Sequence, residues 1–593
     1  MAGSHGLAWL NAVSVVACPR LMMYYPYMAS IVGKKRGAAT YYYLVESARV
    51  HGKPRITSQE YLGTAQEVAA VMRGGGLPDR TQHKEFGAVA AAWGLLEDLG
   101  VAAIIDGAAG ARRSDAAASA GTYLALAALN RLVAPCSKLA FADWWAKTAA
   151  PRFTKVAGAV LDHRRFWEAM HAVSLEALEE ISQAIALAIV REFGLDCSSV
   201  ALDMTNFATF IGTANPKAPI AQRGKAKQKR PDLRLVGLGL VVTREGGIPL
   251  AWRAYPGDKP DVTQFPALTG ALRARHEAIC AAVGAAPVPE MTVVFDAGQN
   301  SEDNFSYLAG TGLHYVGSVP ASSCPDLISL PASARSAVDA ARFSGLTAFD
   351  TRRAVYGTEH RVILTHSPEL HESQARGFDG TTLAKAGRKL DELAATLARG
   401  KTRRPRDKVE AEIESITRKP WVRRVVTWQL SGGQPKDLRL TWGIDATARA
   451  ALEEELFGKH VLITDHDDWP AAEVIAGYRS QSEAEFSFRQ LKDPHVVSFS
   501  PMHHWTEHNI RVHTFTCVLA LQIAHLMRLK ARRAGLDLSV RELLGELAGI
   551  SETVLLYQGE RGRPRAHRML TETTPIQDKL TSVFGLARYA PRR

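Results

Sequence analysis

Two short runs in the chain are apolar without alternation: Ser198-Ser199-Val200-Ala201-Leu202-Asp203 and Met291-Thr292-Val293-Val294-Phe295-Asp296, each ending in a carboxylate. A strand apolar on both faces belongs inside a covered sheet, so each aspartate is expected where its strand emerges. The pattern changes at Gly477 to Pro494, GYRSQSEAEFSFRQLKDP, which has no interior Gly or Pro and several strong helix formers. Tyr478, Gln481, Glu485, Phe488 and Lys492 recur at steps of three and four, so a single helix puts all five on one face. An ordinary buried stripe is apolar there. This one carries a phenol, an amide, a carboxylate, an aromatic ring and an ammonium, groups that suit a metal ion flanked by phosphate contacts. They also suit a solvated face with one aromatic anchor. Two strand-end carboxylates and Glu485 together make a hard-oxygen set for Mg²⁺.

The remaining pattern divides the chain. Residues 1–27 hold an apolar run, Leu7 to Cys18, without the preceding Lys or Arg of a secretory signal, and are expected to be a disordered extension. Residues 28–63 predict a basic β-hairpin turning at His51-Gly52-Lys53. Residues 64–195, rich in Ala and Leu, predict a helical domain of five or six helices between Glu85 and Phe193. Residues 196–319 predict strand, hairpin, helix, strand, helix, strand. An α+β insertion is expected at 320–461, with strands around Tyr356-Gly357-Thr358. Residues 462–535 carry the Glu485 helix and a strong helix from Asn509 to Arg533, and 536–593 predict C-terminal helices and a basic tail. The fold class is α/β.

Several polar clusters admit two readings. Asp465, Asp467 and Asp468 suit a rival metal site or a turn in which Asp468 caps a helix starting near Pro470. His503, His504, His508 and His513 are expected on a DNA-facing surface, with no companion cysteines for a zinc site. Trp421, Trp428 and Trp442 are candidates for stacking on a distorted base, or for core packing.

Lys plus Arg exceed Asp plus Glu, 72 against 60, which fits a polyanionic partner. The six cysteines are scattered without a C-x2-C pair, which favours a reducing cytoplasm over a disulfide framework. No apolar run reaches the roughly 18 residues of a membrane span.

The spacing Tyr478-x2-Gln481-x3-Glu485-x6-Lys492 resembles the Y-x2-R-x3-E-x6-K signature of bacterial insertion-sequence DDE transposases of the family-four superfamily, with Gln481 at the arginine position. Arg223-Gly224 with Lys227, Arg230-Pro231-Asp232-Leu233, and Gly257 with Asp261 extend the resemblance, which runs from about Met28 to the region around Arg533. It implies a ribonuclease H-like catalytic core, a mainly helical N-terminal domain that recognises transposon ends, and an insertion before the catalytic helix. Asp203, Asp296 and Glu485 would be both catalytic residues and ligands of two Mg²⁺ ions, with Asp203 bridging and Mn²⁺ as a substitute. Tyr478, Gln481 and Lys492 would contact DNA. Arg489, one turn after Glu485, is expected to restore the charge that Gln481 lacks. The implied partners are double-stranded DNA, as transposon ends and target, and a second copy of the chain on DNA. The implied setting is cytoplasmic and nucleoid-associated. The alternatives are a catalytically inactive DNA-binding descendant and a ribonuclease H-like nuclease or resolvase.

Overall fold

The computed structural model describes residues 28–37, 39–50, 53–66, 68, 78–110, 116–227, 230–282, 290–557 and 565–592. The expected extension 1–27 lies outside them. The chain divides into two units, one comprising 1–83, 553–569 and 592–593, the other 84–552 and 570–591.

In the first unit the expected hairpin is a three-stranded antiparallel sheet of Met28–Arg36, Ala39–Val50 and Lys53–Thr64. The extra strand arises because Gly37 takes a positive φ of 63° and reverses the chain directly after Arg36. A second sheet joins Arg80–Glu85, Ser551–Tyr557 and Arg565–Leu570, so the C-terminal stretch is not purely helical.

The second unit is a mixed α/β body. Seven α-helices are described between Gly87 and Phe193, two of them only five residues long. Behind them stands a nine-stranded mixed sheet. From one edge inward its strands run Pro249–Pro256, Arg234–Thr243, Ser199–Thr209, Thr292–Phe295 and His314–Val319, with the first two pairings antiparallel and the last two parallel. Arg234–Thr243 is buried at every position, as an internal strand between covered faces requires.

The stretch 320–461 does not stand apart as one subdomain. Thr347–Val355 and Thr358–His366 extend the large sheet, and Lys459–Thr464 lies between Thr358–His366 and His314–Val319, antiparallel to both. Only the part from about Phe378 to Phe457 has a core of its own, built on Leu390, Leu397, Ile413 and Phe457. Glu507–Arg533 is long and apolar enough to cross a membrane, but its apolar window is 94% buried inside the protein, where Val512, Phe515, Val518, Leu519 and Ile523 pack into the main core.

Candidate active site on the central sheet

Sheet register brings the two aspartates together. Leu202 pairs with Phe295 in the parallel ladder, so Asp203 and Asp296 are the next residues on two neighbouring strands. Asp296 leaves its strand as expected, with Oδ1 accepting from Gly298 N at 2.5 Å. Asp203 does not: its strand continues to Thr209, because the opposite edge stays paired with Arg234–Thr243 along Val200–Thr209. Asp203 is therefore half-buried within the sheet and free of a neighbour on one side only.

Glu485 lies exposed on the helix Gln481–Leu491, which packs on the Asp203 strand. The expected single helix is broken. Ala471–Arg479 ends and a second helix starts at Gln481, because Ser480 Oγ donates to Gly477 O at 2.6 Å in competition with the helical ladder. Tyr478 thus sits at the end of the first helix, beside Asp296. Lys492 caps the second.

The three carboxylates share one electrostatic field. Burial pushes the Asp203 carboxyl up to about 6, with the charges of Asp296 and Glu485 adding to it, while the Met204 N–H and Lys227 pull the other way. Burial also pushes the Tyr478 phenol up to about 12, against a hydrogen bond with Ser318, and all three carboxylates add to the rise. The half-buried Asp203 with the carboxylates of Asp296 and Glu485 makes an all-oxygen set that fits a hard divalent cation, and Lys227 and Lys492 are the cations coupled to Asp203. They are not collapsed together: among the described residues, the trio of ligand atoms within 4.8 Å of one another is His314, Asp465 and His466.

Gln481 was expected to touch DNA. It is instead buried, and its Nε2 donates to Leu202 O at 2.9 Å, one residue before Asp203. The amide pins the Glu485 helix to the Asp203 strand, which makes Gln481 a positioning residue. Gln481→Ala leaves that carbonyl unpaired and is expected to destabilise the protein by about 1–3 kcal/mol. An unchanged unfolding midpoint would remove the clamp from consideration.

Lys492 Nζ donates to Thr205 Oγ1 at 2.8 Å and lies over the Phe207 ring. Burial, then Lys227, hold its ammonium below the usual range, with Asp203 opposing. Lys227 Nζ reaches Met204 O at 2.6 Å and Asp261 Oδ2 at 2.8 Å, and Tyr255 Oη donates to Asp261 Oδ1 at 2.6 Å. The sequence pointed to Lys227 and Asp261. Thr205 and Tyr255, which complete the network, carried no signal because their roles come from sheet pairing. Arg489 is exposed and lies over Phe486 at 5.7 Å without an ion pair to Glu485.

Other expectations change. His513 is buried, with Nε2 bonded to Phe499 O, and His508 is bonded to Met170 O; only His503 is exposed. Asp468 does not cap the next helix, whose N-cap is Pro470. Asp465 instead accepts from Tyr315 N and bonds His314, at the end of the strands opposite Asp296. His466 stacks between His314 and Trp469 at 4.5 and 3.8 Å, so the two imidazole planes lie face to face and do not converge on one ion. That trio braces the strand ends. Trp421 packs on Phe457 and Phe378 in the smaller core, and Trp442 donates to Asp391.

No family model and no curated protein matches this sequence. Among solved structures, a cryo-EM structure of the piggyBac transposase synaptic complex with hairpin DNA aligns over 79% of this chain and 82% of that chain, at 7% identity and a TM-score of 0.32, a score that carries no argument about fold or activity.

Proposed function

We propose that this chain is a DDE transposase of a bacterial insertion sequence, built on a ribonuclease H-like core. The observation that carries this reading is the register that sets Asp203 beside Asp296, with the Glu485 helix clamped to the same strand through Gln481. The order and senses of the five strands from Pro249–Pro256 to His314–Val319 support it, as does the long interruption between His314–Val319 and the Glu485 helix. Asp203, Asp296 and Glu485 would hold two Mg²⁺ ions, with Asp203 shared. When bound, such ions activate water or a 3′ hydroxyl and stabilise the leaving oxygen of an in-line displacement.

The chain's own residues supply position. Lys492, fixed by Thr205 two residues after Asp203, offers an ammonium to a phosphate beside the carboxylates. Tyr478 stays a neutral hydroxyl donor throughout the physiological range because its phenol is held near 12. The Lys227–Asp261–Tyr255 network holds the segment opposite, so phosphate contacts meet a fixed surface. Cutting two ends and joining them to a target requires two such sites, hence a dimer on paired ends.

The test is strand cleavage of DNA carrying the element's terminal inverted repeats, with Mg²⁺ and with EDTA. Metal-dependent nicking at the repeat ends is expected; metal-independent nicking, or none, overturns the reading. Arg489 supplies a second measurement. Arg489→Ala is expected to reduce the log-log salt slope of end binding by about one, as loss of one phosphate contact requires. An unchanged slope assigns Arg489 only its stack on Phe486.

A further inference from the structure

Past Asp203 the same strand leads into a segment shaped by a buried cation that has no carboxylate partner among the described residues. The Arg234 guanidinium donates to four carbonyls, those of Ala221, Gly212, Asn215 and Ala218. Asn215 Nδ2 in turn donates to Trp505 O at 2.7 Å, and Phe210 N donates to Met502 O at 2.9 Å. Residues 210–222 and 502–505 are thereby tied into one hydrogen-bonded frame.

That frame holds two large aromatic side chains in solvent. Phe210 is 43% exposed and Trp505 52% exposed. Phe210 packs at a tilt of 38° on the exposed His503, and the Trp505 ring leans over Gly212. A loose loop would fold such rings inward, whereas the Arg234 contacts prevent it. The charge on the segment that carries Phe210 has one sign. Residues 210–227 include Lys217, Arg223, Lys225 and Lys227 and no carboxylate. Lys217, Arg223 and Lys225 are exposed, and Asn206, three residues after Asp203, holds the segment by donating to Lys225 O and accepting from Lys227 N. Glu507, which follows Trp505 closely, is engaged by Arg511.

We infer that Phe210 and Trp505, with Lys217, Arg223 and Lys225, form a platform for unpaired DNA. It lies seven residues beyond Asp203, about 23 Å at a strand rise of ~3.3 Å per residue. The inference rests on the DNA-cleaving reading of the carboxylate site and adds the form of DNA that the neighbouring surface takes. Base pairs within a duplex already stack on each other, so an exposed aromatic plane gains a partner only from an unpaired base. Cations beside it track the phosphates. Lys492, over Phe207, continues the basic line back to the carboxylates.

The test uses the full-length protein in EDTA at fixed salt, with a single strand of about 16 nucleotides carrying 2-aminopurine and the matched duplex. The wild-type protein is expected to quench the 2-aminopurine on binding. Trp505→Ala and Phe210→Ala should each weaken single-strand binding about tenfold and lose the quench, Trp505→Phe should restore both, and duplex binding should stay within twofold. Both side chains are largely in solvent, and duplex binding reports that the variants are folded. If Trp505→Ala binds and quenches like the wild type while the duplex is bound, the platform is overturned and the cleavage reading stands. If the wild type binds neither probe, both fall.

Discussion

Asp203→Asn is expected to abolish strand cleavage while making the metal-free protein more stable at pH 7 to 8. The stability half follows from the raised carboxyl. An unfolded Asp titrates near 3.9 and the folded Asp203 near 6. Below pH 4 the group is protonated in both states and contributes no penalty. Between about pH 4 and 6 the unfolded chain ionises more readily, so the native state loses stability as pH rises. Above 6 the full cost persists, at most about 3 kcal/mol for a shift of this size. Asparagine removes the charge yet keeps an Oδ1 to accept from Met204 N, the bond that Asp203 makes at 2.7 Å. Denaturant unfolding in EDTA should therefore separate wild type and variant at pH 8 and bring them together at pH 4. Cleavage should fall by a factor of about 10³ or more, because a shared ligand and its charge are lost together. Asp296→Asn and Glu485→Gln are expected to lose cleavage with end binding retained. Near-wild-type cleavage by any of the three removes that residue from the site.

What could be read in advance about this site, and what could not, follows from the range of each signal. Asp203 and Asp296 were legible because an uninterrupted apolar run has few places to go except a covered sheet, and both runs end in the same residue type. The continuation of the Asp203 strand to Thr209 was hidden: Met204–Thr209 reads as mixed polarity, and its strand character depends on pairing with Arg234–Thr243. Gln481 illustrates the same limit more sharply. An amide at a helical step from Glu485 looks like a surface contact, yet its partner carbonyl is 279 positions away. His513 lies on a buried helix face with its Nε2 bonded to Phe499 O, a partner 14 positions away, so a polar residue was taken for a surface one. The strands at 347–366 were visible as strands, but nothing local says that they join the large sheet through Lys459–Thr464. Local pattern thus singled out the candidate residues, while pairing between distant segments decided which of them lie next to one another.

Gly257→Ala is expected to be the most damaging single-atom change outside the carboxylates. A Cβ on Gly257 would lie 2.0 Å from Leu235 O and 2.4 Å from Leu235 C, and a Cβ on Gly224 would lie 2.2 Å from Gly257 O. Three backbone segments are therefore stacked in contact: the start of Arg234–Thr243, the exit of Pro249–Pro256, and the loop that leads to Lys227. The obstacle is main chain in a paired strand, which cannot rotate away as a side chain does, so residue 257 itself must shift by roughly 1.5 Å to reach ordinary contact. Asp261 follows four residues later and would be displaced from Lys227 Nζ and Tyr255 Oη together. The expected loss is about 3 kcal/mol or more, the upper end for overpacking because backbone must give. Cleavage measured where the variant is still folded should fall further than Tyr255→Phe alone, which removes one hydrogen bond and leaves the backbone in place. Gly257→Ala with a wild-type unfolding midpoint would show that the three segments separate freely, and the Lys227–Asp261 network could then no longer be what holds the phosphate-facing surface rigid.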